Sequence, residues 1–588
     1  MKSIIQTWLL TCIGLLIVSC SDLTFGDEFL GTQPEISGAT IDTLFSSKEN
    51  SDKVLTKAYT YLPYGLPTGG GNHNKLGGVV LENITDINHS FRGNIGDGPA
   101  NLYYNGALSS SINGVLIGSE AYRYGGEVDW SAIRYSWLYI ENIDKVKDMT
   151  ANEKLERIAE AQVILAISYT DMLRNIGGVP WLDHAISPNE ELVFPRITFE
   201  ETVNNIVDLL DQAIPNLKWK HDASNDGRMD KAGALALKLR VLLFAASPTF
   251  NSGTPWHPSA DTYTSYGNYD MQRWVRAKAA GKEFMDALTS NGQYALTQPL
   301  ENTHQARREA YRSAYYDRGG SETLISTRRG YDEGVLYDLY FPNRYYVGPT
   351  LNYVNMFSWA DGTDFPEDFN WVTPSKQPFY EGNTPTRDPR LYETVAVPGD
   401  MYFNNTPAPV YVNHPNFKNG SGFLQMKWIL QTSEDRSGRP TQWPYLRLPE
   451  ALLSYAEAIN EADGAPSATA YSLINDIRAR VGLTPIAEGL SKEQFREALL
   501  KERALELGFE EVRWYDLIRW GREQDFRKRL YGLDSKGNDQ NAPTSFTFKT
   551  IELNKRFWVD NWDTKWYLSP IPQVEINKDY GMTQNPGW

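Results

Sequence analysis

The chain has 588 residues, 41% of them hydrophobic, which is enough for one large domain or two to three ordinary ones. Its formal net charge of −16 argues against nucleic-acid binding, which requires a basic surface. Cysteine occurs only at Cys12 and Cys20, so the rest of the chain can form no disulfide or cysteine metal site. The seven histidines lack the short spacings of a zinc site, and we expect neither a metal nor a cofactor.

Residues 1–19 have the features of a signal peptide. Lys2 gives a positive start, and the apolar core Trp8–Val18 is too short to span a membrane. The core ends in the sequence IVSC, a small-residue cleavage site that is typical of a bacterial lipobox. We therefore expect Cys20 to become the lipidated N-terminus and residues 20–47 to contain a polar tether. An ordinary signal peptide with an incidental cysteine is the alternative.

A first helix is predicted near Val54, and residues 68–129, rich in Gly, Asn and Ser, are expected to be loops. Helical patterns then dominate to about residue 290, because apolar residues recur there at helical spacing. A helix is predicted over Ile133–Met149, and Thr198 with Glu201 predicts a capping box for another. The other predicted apolar stripes are Val54, Ala58 and Leu62; Leu165, Tyr169, Met172 and Ile176; Val203, Ile206, Val207, Leu210 and Ile214; Leu235, Leu239, Leu242 and Ala246; and Trp274, Ala277, Gly281, Phe284 and Leu288.

Residues 445–521 contain three or four further amphipathic helices joined by short Gly/Pro turns. Ser491 and Gln494 predict a capping box there. The segments RLPEALLSYAEAINE, AYSLINDIRARVGL and KERALELGFEEVRWYDLIRWG resemble the C-terminal helices of the RagB/SusD family, which are lipid-anchored outer-membrane nutrient-binding proteins of Bacteroidetes. The segments GRMDKAGALALKLRVLLFAASPTFN, DPRLYETVAVPGD and LSPIPQVEINKDYGMTQNPGW resemble other parts of that family, and all occur in the family's order.

The resemblance implies a mostly α, SusD-like fold with four tetratricopeptide-like helix pairs and a loop-rich ligand-binding subdomain. The C-terminal helices would complete a scaffold begun near the N-terminus. We divide the chain into a signal peptide (1–19), a lipidated tether (20–47), an N-terminal SusD-like helical region with ligand loops (48–318), a loop-rich variable subdomain (319–443) and a C-terminal region that completes the scaffold (444–588).

Motifs for catalysis are missing from the sequence. It contains no Gly-x-Ser-x-Gly elbow, HExxH motif or P-loop. With 73 acidic residues, some pair of carboxylates is inevitable and is no evidence for a glycosidase. Asp361–Asp364 lacks the EF-hand spacing and is expected to be a turn. We expect Glu502, Arg503 and Glu506 to form structural ion pairs, and we predict no catalytic residue.

Aromatic residues make up 13% of the chain, and three clusters lie in Gly-, Asn- and Pro-rich segments that read as loops. A sugar ring stacks its apolar face on an aromatic side chain and offers hydroxyls to polar ones. Long loops are often functional, but each aromatic could equally be a packing residue. No single residue carries over from the family. The predicted ligand-binding residues are Tyr103, Tyr104, Trp256, Tyr337, Asn343, Arg344, Tyr345, Tyr346 and Trp359.

The resemblance implies a non-enzymatic lipoprotein at the cell surface. It would capture oligosaccharides and deliver them to a SusC-like TonB-dependent transporter in the outer membrane. Three alternatives remain open at this point. The protein could be a surface glycoside hydrolase, it could have the same binding role with peptide ligands, or it could be a helical-repeat adaptor that binds only its partner protein.

Overall fold

The computed structural model describes residues 40–66, 81–91, 102–111, 129–187, 189–328, 347–402, 406–412, 420–430, 439–539 and 543–588. Within these ranges the chain is mostly helical, with short antiparallel strand pairs. None of the helices described is both long enough and apolar enough to cross a membrane.

The helices are α1 (Ile41–Leu44), α2 (Lys48–Tyr59), α3 (Asp129–Asn142), α4 (Ala151–Ile176), α5 (Phe199–Ala213), α6 (Lys231–Ala246), α7 (Gln272–Asn291), α8 (His304–Tyr316), α9 (Leu351–Met356), α10 (Pro389–Thr394), α11 (Leu448–Asp463), α12 (Ala468–Arg480), α13 (Lys492–Leu507), α14 (Arg513–Arg519), α15 (Glu523–Phe526) and α16 (Gln573–Ile576). The strands are β1 (Asn88–Ser90), β2 (Thr323–Thr327), β3 (Val347–Pro349), β4 (Tyr380–Glu381), β5 (Thr384–Pro385), β6 (Val395–Ala396), β7 (Met401–Tyr402), β8 (Thr406–Pro407), β9 (Leu424–Gln425), β10 (Trp443–Arg447), β11 (Tyr531–Gly537) and β12 (Phe546–Glu552).

Side-chain caps set the ends of several helices. Capping boxes at the starts of α5 and α13 confirm the two predicted from sequence, and a third caps α4. The helix predicted over Ile133–Met149 was misplaced. It begins at Asp129 and ends at Asn142, where a short 3₁₀ turn follows and Val146 adopts extended backbone.

Consecutive helices stack on one another along the N-terminal half of the chain. Helix α2 packs on α3, α3 on α4, α4 on α5, α5 on α6 and α6 on α7. Helix α7 then packs on α11, which also contacts α12 and α13. The approach of α7 to α11 needs Gly281, where a Cβ would lie 2.3 Å from a ring carbon of Tyr455. The C-terminal helices therefore extend a scaffold begun near the N-terminus, as the resemblance implied.

Helix α8 was not predicted, and its buried face explains why. Arg308 and Arg312 lie on that face, where an apolar stripe would be expected, and both are buried. They donate to the buried carboxylate of Glu393 in α10, with Nε–O distances of 2.6 and 2.7 Å. The same face carries Tyr311, Ala314 and Tyr315 at helical spacing, but the arginines beside them leave this apolar stripe short and narrow.

The carboxylate of Glu506 in α13 is the centre of a buried ion network. It accepts from Arg480 of α12 at 2.6 Å, from Arg390 of α10 at 3.2 Å and from Arg447 at the end of β10 at 3.3 Å. All four side chains are fully buried. Burial alone would raise the pKa of Glu506, but the three guanidinium groups outweigh it and lower the pKa to about 2.

Further ion pairs extend this network. Glu322 binds Arg447 and Arg480, Glu510 binds Arg447 and Lys427, Glu502 binds Arg390 and Arg478, and Arg503 binds Asp516. These contacts confirm the prediction that Glu502, Arg503 and Glu506 form ion pairs.

Glu82 is a second buried carboxyl group, and it lies next to another acidic residue, Glu511. The backbone N–H of Glu511 donates to Oε1 of Glu82 at 2.7 Å, and both residues are buried. Glu511 has a φ of 60°, in the left-handed region that only a few non-glycine residues adopt. Burial, reinforced by the Glu511 carboxylate, raises the pKa of Glu82 to about 8.

Replacement of Glu506 by Gln should destabilise the protein by about 3–5 kcal/mol, because it removes the buried negative charge that three buried arginines share. The loss should be largest near neutral pH. It should shrink as the pH falls from 4.5, the ordinary value for a glutamate, towards 2, where the native carboxylate also takes up a proton. Denaturant unfolding of Glu506→Gln and of Glu488→Gln, an exposed control, measures this. Equal unfolding midpoints for the two variants would contradict it.

Replacement of Glu82 by Gln should make the free energy of unfolding depend less on pH between 4.5 and about 8. Between pH 4.5 and about 8 the folded chain keeps a proton on Glu82 that the unfolded chain releases, so wild-type stability falls across this window. The variant has no proton to lose there. Between pH 5 and 9 it should lose less stability than wild type, by an amount on the order of 2–4 kcal/mol. Thermal unfolding at both pH values tests this, and parallel pH profiles would contradict it.

Candidate functional site

The two predicted tyrosines of the first loop region act as anchors in this structure. Tyr103 has no exposed surface and packs against the rings of Trp558 and Trp566, at centroid distances of 6.3 and 5.8 Å. Tyr104 is half-buried; its hydroxyl donates to the carbonyl of Asn83 and accepts from the N–H of Ser90 at 3.0 Å. Tyr103 is therefore a packing residue, and Tyr104 fixes the backbone at the end of β1.

Trp256 is half-buried in a loop between α6 and α7. Its indole N–H points to the carbonyl of Thr264 at 3.4 Å, and its ring lies 5.9 Å from Tyr567. Tyr269 of the same loop is 55% exposed. This loop offers one partly covered tryptophan and one exposed tyrosine.

Five of the predicted site residues and the predicted lipidation site lie outside the described residues. They are Tyr337, Asn343, Arg344, Tyr345, Tyr346 and Cys20. Asn343, Arg344, Tyr345 and Tyr346 directly precede Val347 at the start of β3, which pairs with Ser90 of β1. Since Tyr104 also binds Ser90, the described residues that flank two of the predicted clusters meet at one strand pair.

Trp359 directly precedes Ala360 in the wall of an open cleft of about 440 Å³, although Trp359 itself is not one of the lining residues. The cleft is lined by Ala360, Asp361, Lys376, Glu381, Thr384, Pro385 and Thr386. The ammonium of Lys376 lies over the Trp359 ring, 4.1 Å from its centroid. Because of this cover and the packing behind it, Trp359 is only 8% exposed.

Backbone contacts hold Trp359 in place. Its N–H donates to the carbonyl of Thr363 at 2.8 Å, and it forms an isolated antiparallel bridge with Arg387. The next residue, Ala360, donates to the carbonyl of Thr386 at 2.9 Å. The tryptophan is thus fixed from both sides of the cleft by main-chain bonds.

A buried arginine supports the aromatic rings behind the cleft. The Arg387 guanidinium lies 3.7 Å from the ring centroid of Phe365 and 5.5 Å from that of Trp359. It donates to the carbonyls of Val354 and Phe357 at 2.8 and 2.6 Å. Burial lowers the pKa of Arg387 to about 9. This cation is held by backbone dipoles and aromatic faces.

The segment Asp361–Asp364 forms the predicted turn. Gly362 has a φ of 89°, and Oδ1 of Asp361 accepts from the N–H and the hydroxyl of Thr363 at 2.9 and 2.6 Å. These hydrogen bonds from Thr363 lower the pKa of Asp361. Asp361 therefore brings a negative charge to the cleft.

One group of side chains has the geometry of a metal site. Ligand atoms of Glu156, Glu160 and His221 lie within 4.8 Å of one another. However, Arg157 and Arg228 donate to Glu160 at 2.5 and 2.9 Å. Guanidinium groups already neutralise the carboxylate, so the group reads as an ion-pair cluster.

A second, larger cleft of about 890 Å³ was not predicted from sequence. Apolar side chains of α3, α4, residues 179–194 and residues 569–582 form most of its walls. On its rim, Trp130 is 43% and Leu192 57% exposed. Each wall contributes scattered apolar residues from distant parts of the chain, so no local pattern marks the cleft.

Comparison with known proteins agrees with this architecture. The model of the SusD family matches residues 344–588. The SusD-like protein P38 of Formosa agariphila is 24% identical over 437 residues, which cover 68% of this chain and 73% of that protein. The starch-binding protein SusD of Bacteroides thetaiotaomicron is 30% identical over 177 residues, 29% of this chain and 27% of that protein.

A solved structure shares the fold over nearly the whole chain. The crystal structure of a SusD-like protein from Bacteroides fragilis superposes with a TM-score of 0.70 at 22% identity, covering 93% of this chain and 98% of that one. The fold is therefore mostly α and SusD-like. Residues 344–588 thus match the SusD family, and the chain as a whole is similar in sequence to a curated SusD-like protein and has the fold of a SusD-like structure.

Proposed function

We propose that this protein binds oligosaccharides at the Trp359 cleft, acting as a cell-surface lipoprotein that passes them to a SusC-like TonB-dependent transporter. The observation that carries the proposal is the cleft itself. A fixed indole lies beside an open space lined by Asp361, Glu381, Thr384 and Thr386. This is the combination that a sugar needs, an aromatic face for its C–H surface and polar groups for its hydroxyls.

Similarity to the SusD family supports a carbohydrate ligand, since one curated relative is named a starch-binding protein. Energetics also supports a multi-residue site. One aromatic contact contributes about 1 kcal/mol, which is too little to offset the entropy of association. We therefore propose that Tyr345 and its predicted neighbours add contacts to those of Trp359.

Stacking on Trp359 requires that Lys376 moves aside. A cation over an exposed aromatic ring contributes only about 0.5–1 kcal/mol. Lys376 is exposed and has no ion-pair partner among the residues described. A ligand can displace its side chain at small cost while the backbone of the cleft stays unchanged.

Trp359→Leu should weaken binding of the best ligand from a glycan and peptide array by about fivefold, since it removes one aromatic plate of about 1 kcal/mol. Leu keeps much of the apolar packing against Phe365. Tyr531→Ala, at an exposed tyrosine in β11, serves as the control and should bind like wild type. Titration calorimetry measures both. Unchanged affinity in Trp359→Leu would place the ligand elsewhere.

Cys20→Ser should abolish acylation of the protein, because the thiol is the predicted attachment point of the lipid. Cys12→Ser, within the apolar core of the predicted signal peptide, is the matched control and should be acylated normally. Incorporation of a labelled fatty acid in the native host distinguishes the two. Equal labelling of both variants would contradict the lipobox assignment.

Under this proposal the protein does not cleave the glycan that it binds, and delivery of the glycan requires a partner protein. Incubating the pure protein with the glycan that it binds should leave the glycan intact, and release of shorter products would favour a glycoside hydrolase. Affinity purification of the anchored protein from native membranes should recover a TonB-dependent barrel. Recovery of the barrel without glycan or peptide binding would favour an adaptor.

A further inference from the structure

We propose that the Trp359 cleft prefers sugars that carry a free, protonated amine, such as glucosamine residues, and that Lys376 is a built-in competitor for that subsite. The inference rests on the proposed glycan-binding function and names the ligand class of the same cleft. Its basis is the chemistry that already occupies the tryptophan face.

The position over Trp359 is occupied by an ammonium group. The Lys376 Nζ lies 4.1 Å from the ring centroid, a distance at which an ammonium is attracted to the electron-rich face of an indole. Tryptophan gives the strongest attraction of this kind. The position of Lys376 therefore shows that the face of the Trp359 ring can accommodate a positively charged group.

Two carboxylates line the same cleft. Asp361 and Glu381 are exposed, and neither has an ion-pair partner among the residues described. Hydrogen bonds from Thr363 are the main cause of the lowered pKa of Asp361, and the charge of Lys376 contributes to it. The only other acidic residue of the turn, Asp364, is paired with Lys501 at 2.6 Å. The lining therefore holds two negative charges and one positive charge.

A glucosamine residue matches both features. Its C–H face can stack on the indole as any sugar does, while its ammonium can take the place of the Lys376 ammonium near the carboxylates. An N-acetylated residue keeps the ring but loses the charge. A uronate or sulfated sugar would meet Asp361 and Glu381 with a like charge.

The competition by Lys376 has a measurable consequence. The lysine is tethered beside the ring, so its local concentration is high and it lowers the apparent affinity of any cation for the face. Removing its charge while keeping its length, as in Lys376→Met, should tighten binding of an amine-bearing ligand. The same variant should change binding of a neutral ligand less.

The test compares glucosamine tetramers with N-acetylglucosamine tetramers and a neutral glucose tetramer, by titration calorimetry at about pH 6 and low salt. We expect the glucosamine tetramer to bind at least threefold tighter than its acetylated form, and Lys376→Met to widen that ratio. Added salt should narrow the ratio, because charge pairs in an open cleft are screened. The paired variant Asp361→Asn with Glu381→Gln should bring the ratio of the glucosamine affinity to the N-acetylglucosamine affinity close to one, whatever its effect on binding of the neutral tetramer.

The outcomes separate the two proposals. Equal or tighter binding of the acetylated tetramer would overturn the amine preference and leave glycan binding intact. A glucosamine preference that survives the paired carboxylate variant would also overturn it, since the charge recognition would then lie elsewhere. Binding of none of the glycans, with folding of each variant verified by thermal unfolding, would overturn the proposed function itself.

Discussion

The buried carboxylate of Glu506 is the contact on which the rest of the structure depends. It joins Arg480 of α12, Arg447 of β10 and Arg390 of α10, elements that are far apart in the chain. A buried charge is costly unless it is fully paired, so the network forms completely or leaves an uncompensated ion in the core. The helical scaffold and the loop-rich region therefore fold together. The described strands form only two-stranded sheets, so this joint folding does not depend on a large β-sheet.

The network also reaches the candidate site. Arg390 binds Glu502 and Glu506 of the scaffold and, in the same turn, donates to Asp388 at 2.8 Å. The neighbouring residue, Arg387, supports the ring of Trp359 and bridges its backbone. Only two residues therefore lie between Arg390, which belongs to the buried ion network, and Arg387, which contacts the ring of Trp359. The tryptophan is positioned by the scaffold even though it lies in an irregular segment.

Helices with an apolar stripe and a side-chain cap could be predicted from sequence, as α5 and α13 show, because both signals are local. Helix α8 was missed, because its short apolar stripe of Tyr311, Ala314 and Tyr315 is interrupted by buried arginines. The partner of Arg308 and Arg312, Glu393, is about 80 residues away. Among the site residues, Trp359 was found beside a cleft, but Tyr103 lies in the core. A tyrosine in a Gly- and Asn-rich segment looks the same in sequence whether it packs inward or outward. The deciding contacts, Trp558 and Trp566, come from the far end of the chain.

Two kinds of residue form the cleft: buried residues that hold the indole, and exposed residues that line the open space. Arg387 and Phe365 are buried and hold the indole, so a change there costs both stability and binding. Asp361, Lys376 and Glu381 are exposed, and exposed substitutions rarely change stability by more than about 0.5 kcal/mol. If the cleft binds glycans as proposed, changes at Lys376 and Glu381 would alter the ligand class without disturbing the frame, whereas Asp361 also holds the turn through Thr363. Lys376 is one of the exposed residues, so its side chain can move off the Trp359 ring when a ligand binds. A cation in the position of Arg387 is fixed by backbone carbonyls and cannot.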